Sequence, residues 1–423
     1  MHRRPPPLLM AMPIDVLHLA YTRFPADTRL QREIRALTAS GRRVAVVVLR
    51  GDRDAAVERW HGAVVIRVPG RKTRGGVAAY LREYGEFAWR CRRLLTRHRA
   101  LRRVRVVHVH TLPDFLLWAA LPARRRGARL ILDMHEVFPE FVAARFRTAA
   151  GWLASAIAGA IERWARRTAD LTITVNEPIA ELLEGRPARP DERRLVVHNT
   201  ADPADFGAPR SSATAADLGR LELVYHGTLT ALYGLDIAIR GVVQARAGGI
   251  AVRLTIIGEG PERHTLRRLA AATADPDTIR FEDPIPQAAL RARIEACHAG
   301  VVPTSLDGMT RYSLSTKLLE YVHLGIPVLA TLLPSYARYF GNDALWYWTA
   351  GASDDLARVI RDFKNASPQV RERRATLARR AIERFAWPLE AARLLQAYDD
   401  VLDQAPAQAA RDAAMRSAAR PSP

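Results

Sequence analysis

The sequence predicts an α/β fold, with parallel sheets in two successive units. Three observations carry that expectation. Residues 14–20 form a buried apolar run, 29–40 carry apolar residues at helical spacing (Leu30, Ile34, Leu37), and 44–49 are again apolar. A strand, a crossover helix and a strand in that order make a right-handed parallel unit. The same order restarts after the polar, proline-bearing stretch 203–220, which reads as a linker. Finally, 423 residues of which 48% are hydrophobic suffice for two or three cores.

Composition narrows the function classes. The formal net charge is +20, which favours anionic partners such as nucleotide sugars or acidic lipids. Only Lys72, Lys317 and Lys364 are lysines among the 64 basic residues. Two cysteines, Cys91 and Cys297, make no disulfide framework. A cytoplasmic protein is expected; no run approaches the roughly 20 apolar residues of a membrane span, and residues 1–10 read as a disordered leader.

In the first unit, the loop at 21–28 has no glycine pair, so it is not a dinucleotide fingerprint and a dehydrogenase is disfavoured. Asp52 and Asp54 follow a strand on a polar turn and read as surface loop; no metal site is expected. Residues 71–105 carry twelve basic residues against Glu83 and Glu86, interleaved with Tyr80, Tyr84, Phe87 and Trp89. This segment is open to two readings: a helix on an anionic membrane surface, or one packing its aromatic stripe on the core. Strands follow at 104–110, 130–135 and 170–176. Ligands of open parallel sheets bind outside the strands' carboxyl ends, where His110, Asp114, His135 and Glu136 fall.

The second unit opens with a strand from 221 running into Gly227 and Thr228, and another from 252 running into Gly258 and Gly260. Glycine lets backbone approach a bound group closely. Segments 281–286 and 300–304 continue the series. The stretch 312–330 then places Ser313, Leu314, Ser315 and Thr316 ahead of a short helix with Lys317 and Glu320, a stop at Gly325, and a strand from Pro327. Its unpaired N–H groups and dipole offer a phosphate site, and the Glu320 carboxylate could accept from two ribose hydroxyls. A final helix is expected over 388–403 and a disordered tail over 404–423.

The pattern T-K-L-L-E-Y followed by G-I-P-V resembles the donor-binding segment of GT-B glycosyltransferases, specifically retaining family 4. D-x-H-E-x-x-P-E at 133–140 resembles that family's N-terminal domain, and Asn199 and Asp202 fit its first-domain ending, with His198 and Thr200 where Pro and Gly are usual. The resemblance spans roughly 14–400. It implies two Rossmann-like domains facing across a cleft: an acceptor-side domain (13–202), a linker (203–220), a nucleotide-sugar domain (221–387) and a helix (388–403) crossing back to the first domain. It further implies a hexosyl- or related transferase, metal-independent and without cofactor, using a UDP- or GDP-linked sugar. Its acceptor would be a glycan, such as a polysaccharide intermediate, or a lipid-linked one; a lipid-linked acceptor suits peripheral attachment through 71–105. No nucleic acid partner is implied. His135 would touch the reacting sugar, with His110, Asp114 and Glu136 on the acceptor side. Gly227, Thr228, Gly258, Pro286 and residues 313–316 would surround the donor, Glu320 would hold the ribose and Lys317 the diphosphate.

The sequence departs from that family twice. Tyr312 stands where many members carry the first glutamate of an E-x7-E pair, and Thr228 and Tyr233 stand where an arginine and a lysine usually meet the diphosphate. These departures keep open a degenerate, non-catalytic partner subunit. A sugar-nucleotide epimerase, the third reading, would want cleft carboxylates as acid and base.

Overall fold

The computed structural model describes residues 13–70, 77–145, 149–208 and 219–418. The chain divides into two compact units, residues 1–198 with 390–423, and residues 199–389.

In the first unit the strands are β1 (Val16–Arg23), β2 (Val44–Leu49), β3 (Val57–Trp60), β4 (Ala63–Val68), β5 (Val106–His110), β6 (Arg129–Met134), β7 (Leu171–Thr174) and β8 (Arg194–Val196). They form one sheet in the order β3-β4-β2-β1-β5-β6-β7-β8. All pairs are parallel except β3 with β4. β2, β4 and β5 are buried throughout, as expected of a sheet covered on both faces. The β3–β4 hairpin was not legible in sequence. Its turn, His61-Gly62, has positive φ at both residues (43° and 83°), and β3 is a four-residue edge strand with no hydrophobic alternation strong enough to announce it.

The basic segment splits between its two readings. Residues 71–76, with Arg71, Lys72 and Arg74, lie outside the described residues. From Val77 to Arg97 the chain is one helix. It buries Phe87, Cys91 and Leu95 in the core yet leaves Trp89 52% exposed.

The second unit contains β9 (Leu221–His226), β10 (Val252–Ile257), β11 (Ile279–Glu282), β12 (Ala299–Val302), β13 (Val328–Thr331) and β14 (Trp346–Trp348). Their order is β11-β10-β9-β12-β13-β14, all parallel. Leu223, Leu254, Ile256 and Val301 pack on Leu235, Ile239, Val242 and Ile360 from helices on one side. On the other side Val224, Val302 and Ala330 pack on Leu318, Leu319 and Val322.

Two boundaries differ from expectation. The stretch expected as a linker begins with a helix, Pro203–Phe206, capped by Asp202, and Phe206 is buried in the second unit's core; residues 209–218 lie outside the described residues. The closing helix runs Trp387–Ala418 and so extends beyond 403, where a disordered tail is expected; residues 419–423 lie outside the described residues. Alanine has the highest helix propensity, and this run is rich in it.

Candidate functional site

In the second unit the candidate site is built where β9, β10 and β11 end side by side. His226, Gly227, Thr228, Gly258, Glu259, Pro284 and Ile285 line a cavity of about 330 Å³. The turns are knit to each other: the Gly227 N–H donates to the Ile257 carbonyl (2.9 Å), and the Gly258 N–H to Glu282 (3.2 Å). Gly227 (φ 120°) and Gly258 (φ 152°) adopt conformations that L-residues avoid, and a Cβ on Gly258 would strike the Gly227 carbonyl. Pro286 is exposed and caps the helix Gln287–Glu295, beside the lining rather than in it.

The helix Thr316–His323 delivers the charged groups. Its first-turn N–H groups have no intrahelical acceptor, and Ser315 at the N-cap makes no side-chain cap bond. Gly325 (φ 75°) ends it, with the Ile326 N–H bonded to the Tyr321 carbonyl at 2.9 Å. Tyr321 fixes its pitch: the hydroxyl accepts from the His226 N–H (3.2 Å) and donates to the Val224 carbonyl (3.2 Å). Neither Tyr321 nor His226 was a sequence candidate. Glu320 Oε2 lies 3.2 Å from His226 Nε2. Lys317 is buried; its Nζ stands 3.9 Å above the ring of Tyr233, and its stem fills the space a side chain at Gly227 would need. Burial lowers the Lys317 pKa to about 8, against the upward pull of Glu320. Ser313, Leu314, Ser315 and Thr316 are half-buried at the helix entrance, where Ser335 donates 2.6 Å to the Ser313 carbonyl.

In the first unit, His135 follows β6 with its side chain 25% exposed. Its Nε2 lies 3.2 Å from Asp133 Oδ2 and 3.1 Å from His110 Nδ1. Burial alone would depress His135, but the Asp133 charge and hydrogen bond outweigh it and raise the pKa. Asp133 is held ionised against its burial chiefly by Arg29, which donates to both oxygens at 2.8 and 2.9 Å. Glu136 is half-buried beside His135.

Two acceptor-side candidates lie deeper than their strand-end positions suggest. His110 is only 3% exposed and lies behind His135, because it points inward from a strand covered on both faces. Asp114 is fully buried, in the 3-10 turn Asp114–Ala120. Burial, reinforced by Glu162, pushes its pKa well above the usual carboxylate range, against Arg166 and Arg186. Sequence reading missed Arg29, Glu33, His18 and His108, which join Asp133 and His110 in the buried cluster. The alternation of His108 and His110 along one strand was the signal available.

Residues 26–200 match a glycosyl transferase 4-like domain, and residues 220–364 match glycosyl transferases group 1. The chain is 29% identical over 160 residues to the colanic acid biosynthesis glycosyltransferase WcaL of Escherichia coli, covering 37% of this chain and 38% of that protein. With the protein of that name in Salmonella typhimurium it shares 26% over 213 residues, covering 48% and 51%. The matched stretch thus spans about half of these relatives' length or less. Among solved structures, a sucrose-phosphate synthase from Thermosynechococcus elongatus superposes with TM-score 0.74 at 16% identity, covering 92% of this chain and 99% of that one. Anabaena HepE in complex with UDP and glucose gives 0.66 at 14%, covering 91% and 99%. With matching profiles along both units and two parallel-sheet cores of this type, the chain belongs to the GT-B glycosyltransferases of the group 1, family 4-like type.

Proposed function

We propose that the protein transfers a sugar, with retention, from a UDP- or GDP-linked donor to a glycan or lipid-linked acceptor. The observation that carries this reading is the position of Lys317. Its ammonium lies beside Gly227, next in sequence to Thr228, and over Tyr233, so a cation stands at one of the two positions whose usual cations are missing and one residue from the other. A leaving diphosphate gains charge in the transition state, and a preorganised cation with helix-start N–H groups meets that charge at low cost in reorganisation. Glu320 is assigned the ribose hydroxyls, and His135 a hydrogen bond to the reacting sugar. Asp133 would stabilise a proton on His135 during transfer.

The acceptor reading rests on three neighbouring elements of the first unit. The helices Val77–Arg97 and Ala149–Thr168 both pack on the turn Asp114–Ala120. Leu81, Trp89, Trp118, Trp152, Leu153 and Ile157 are exposed on these elements, Trp152 by 78%. The Arg92 guanidinium lies 4.3 Å over Trp118. Val68, Trp89, Arg90, Arg93 and Arg97 line a cavity of about 410 Å³. Aromatics and arginines together suit an anionic bilayer surface, and no described helix is long and apolar enough to cross a membrane.

The test is a donor screen: thermal shift with UDP, GDP, ADP and their sugars, followed by transfer assays with the donor that stabilises the chain. Lys317→Ala should lose most turnover, and Lys317→Arg should restore little, since a planar guanidinium does not fit a pocket shaped for an ammonium. Transfer at the wild-type rate by both variants would remove Lys317 from the chemistry. Nucleotide binding with no transfer from any donor would favour a non-catalytic partner subunit.

A further inference from the structure

We infer that the first unit holds a divalent transition-metal ion of the zinc type, bound by His18, Glu33, His108 and His110. One donor atom from each of these four buried residues lies within 4.8 Å of all the others. Elementary strand geometry assembles three of them. β1 and β5 are adjacent and parallel, with His18 paired to His108 and Ala20 to His110. His108 and His110 are two residues apart and share a face. The three rings gather there, with centroids 4.4 to 5.2 Å apart. Glu33 comes from the helix Thr28–Ala39, which contributes Arg29, Arg32 and Glu33 to the interior.

The spacing fits a tetrahedral ion. Bonds of about 2.0–2.1 Å put neighbouring donor atoms about 3.3–3.4 Å apart. His18 Nδ1 is 2.9 Å from His110 Nε2, His110 Nε2 is 3.7 Å from Glu33 Oε2, and His108 Nδ1 is 3.9 Å from the same oxygen. These three edges straddle the required value, and the remaining ones are within 4.8 Å, so the four side chains must draw together around the ion.

Two further observations point to a ligand. Glu33 is fully buried, and neither of its oxygens accepts a hydrogen bond; its nearest partner is Arg29 Nε, in an ion pair at 3.1 Å. A buried carboxylate left that way is costly, and a metal bond relieves it. The outer contacts also have the form that metal sites use. His110 turns Nε2 toward Glu33 and His18, while its Nδ1 faces the Asp133 carboxylate at 3.2 Å. Asp133 is in turn fixed by Arg29. The competitor is Tyr398, whose hydroxyl lies 2.6 Å from His108 Nδ1. Coordination by His108 requires that bond to be given up. The ion would tie β1, β5 and the helix Thr28–Ala39 together beneath His135, independently of which donor or acceptor the protein takes.

The experiment uses the full chain, freed of any affinity tag, loaded with Zn²⁺ or Co²⁺, desalted and measured by elemental analysis. One equivalent of zinc per chain is expected, and cobalt should give the intense visible bands of a tetrahedral site. His18→Ala and Glu33→Gln should each weaken zinc affinity at least about tenfold, while His264→Ala, on an exposed helix position, should not. Background stoichiometry in the wild type, or full occupancy in folded His18→Ala, overturns the assignment. Should both ligand variants fail to fold, Tyr398→Phe decides. It deletes no ligand and removes the competitor, so zinc affinity should rise several-fold; an unchanged or lower affinity overturns the site.

Discussion

Glu320 and Lys317 sit within one helical turn and should separate by assay. A hydrogen bond to a charged group contributes about 1.5–3 kcal/mol, so Glu320→Ala should weaken nucleotide binding by at least roughly tenfold in calorimetry; unchanged affinity would remove its ribose role. Lys317 gives a pH signature. Burial brings its pKa to about 8 in the free protein, and a bound diphosphate must raise it. Binding therefore takes up a proton once the free lysine has deprotonated. Nucleotide affinity should be flat below about pH 8 and fall above it, by up to about tenfold per pH unit, and Lys317→Met should flatten that profile. Asp114 offers the opposite sign. Its folded pKa is raised by burial, so the folded state binds the extra proton and stability falls as pH rises above the unfolded value, about 3.9. Asp114→Asn should leave stability nearly unchanged at pH 3–4 and raise it by roughly 1–3 kcal/mol at neutral pH, the range for a buried unsatisfied group. No gain in denaturant melts at pH 7 would contradict this.

At the level of elements, the proposed donor site depends on backbone that only glycine permits. Gly227 joins β9 to the turn at φ 120°, and the Lys317 stem occupies the volume beside it. Gly227→Ala combines backbone strain of about 1–3 kcal/mol with displacement of the lysine. It should lower the melting temperature and also cut nucleotide affinity. If Ala at this position lowers stability alone, the turn has no part in holding the donor.

For the whole molecule, the proposed membrane contact turns on the exposed apolar and arginine side chains of the first unit. Flotation with anionic vesicles at low salt should carry the protein upward, and neutral vesicles should not. Each arginine near the surface adds about 1 kcal/mol. Trp89→Ala with Trp152→Ala should reduce the floated fraction several-fold without altering nucleotide binding. Absence from both lipid fractions would leave these helices merely solvated.

What the sequence determined by itself is the pattern that local chemistry writes into it. Apolar runs placed most of the parallel strands, turn glycines marked Gly227 and Gly258, and the hydroxyl-rich entry marked the start of the helix Thr316–His323 with Lys317 and Glu320. Whether a polar side chain faces outward or inward was decided only by tertiary packing. His110 and Asp114 stand at strand ends as expected, yet both are buried, because helices and turns distant in sequence cover them. The Arg29–Asp133 pair joins residues 104 apart, and the histidine cluster needs β1 and β5 in register. No local spacing encodes such contacts. They arise where strand order brings remote residues together in an interior of low dielectric, and there an unpaired charge is too costly to leave alone.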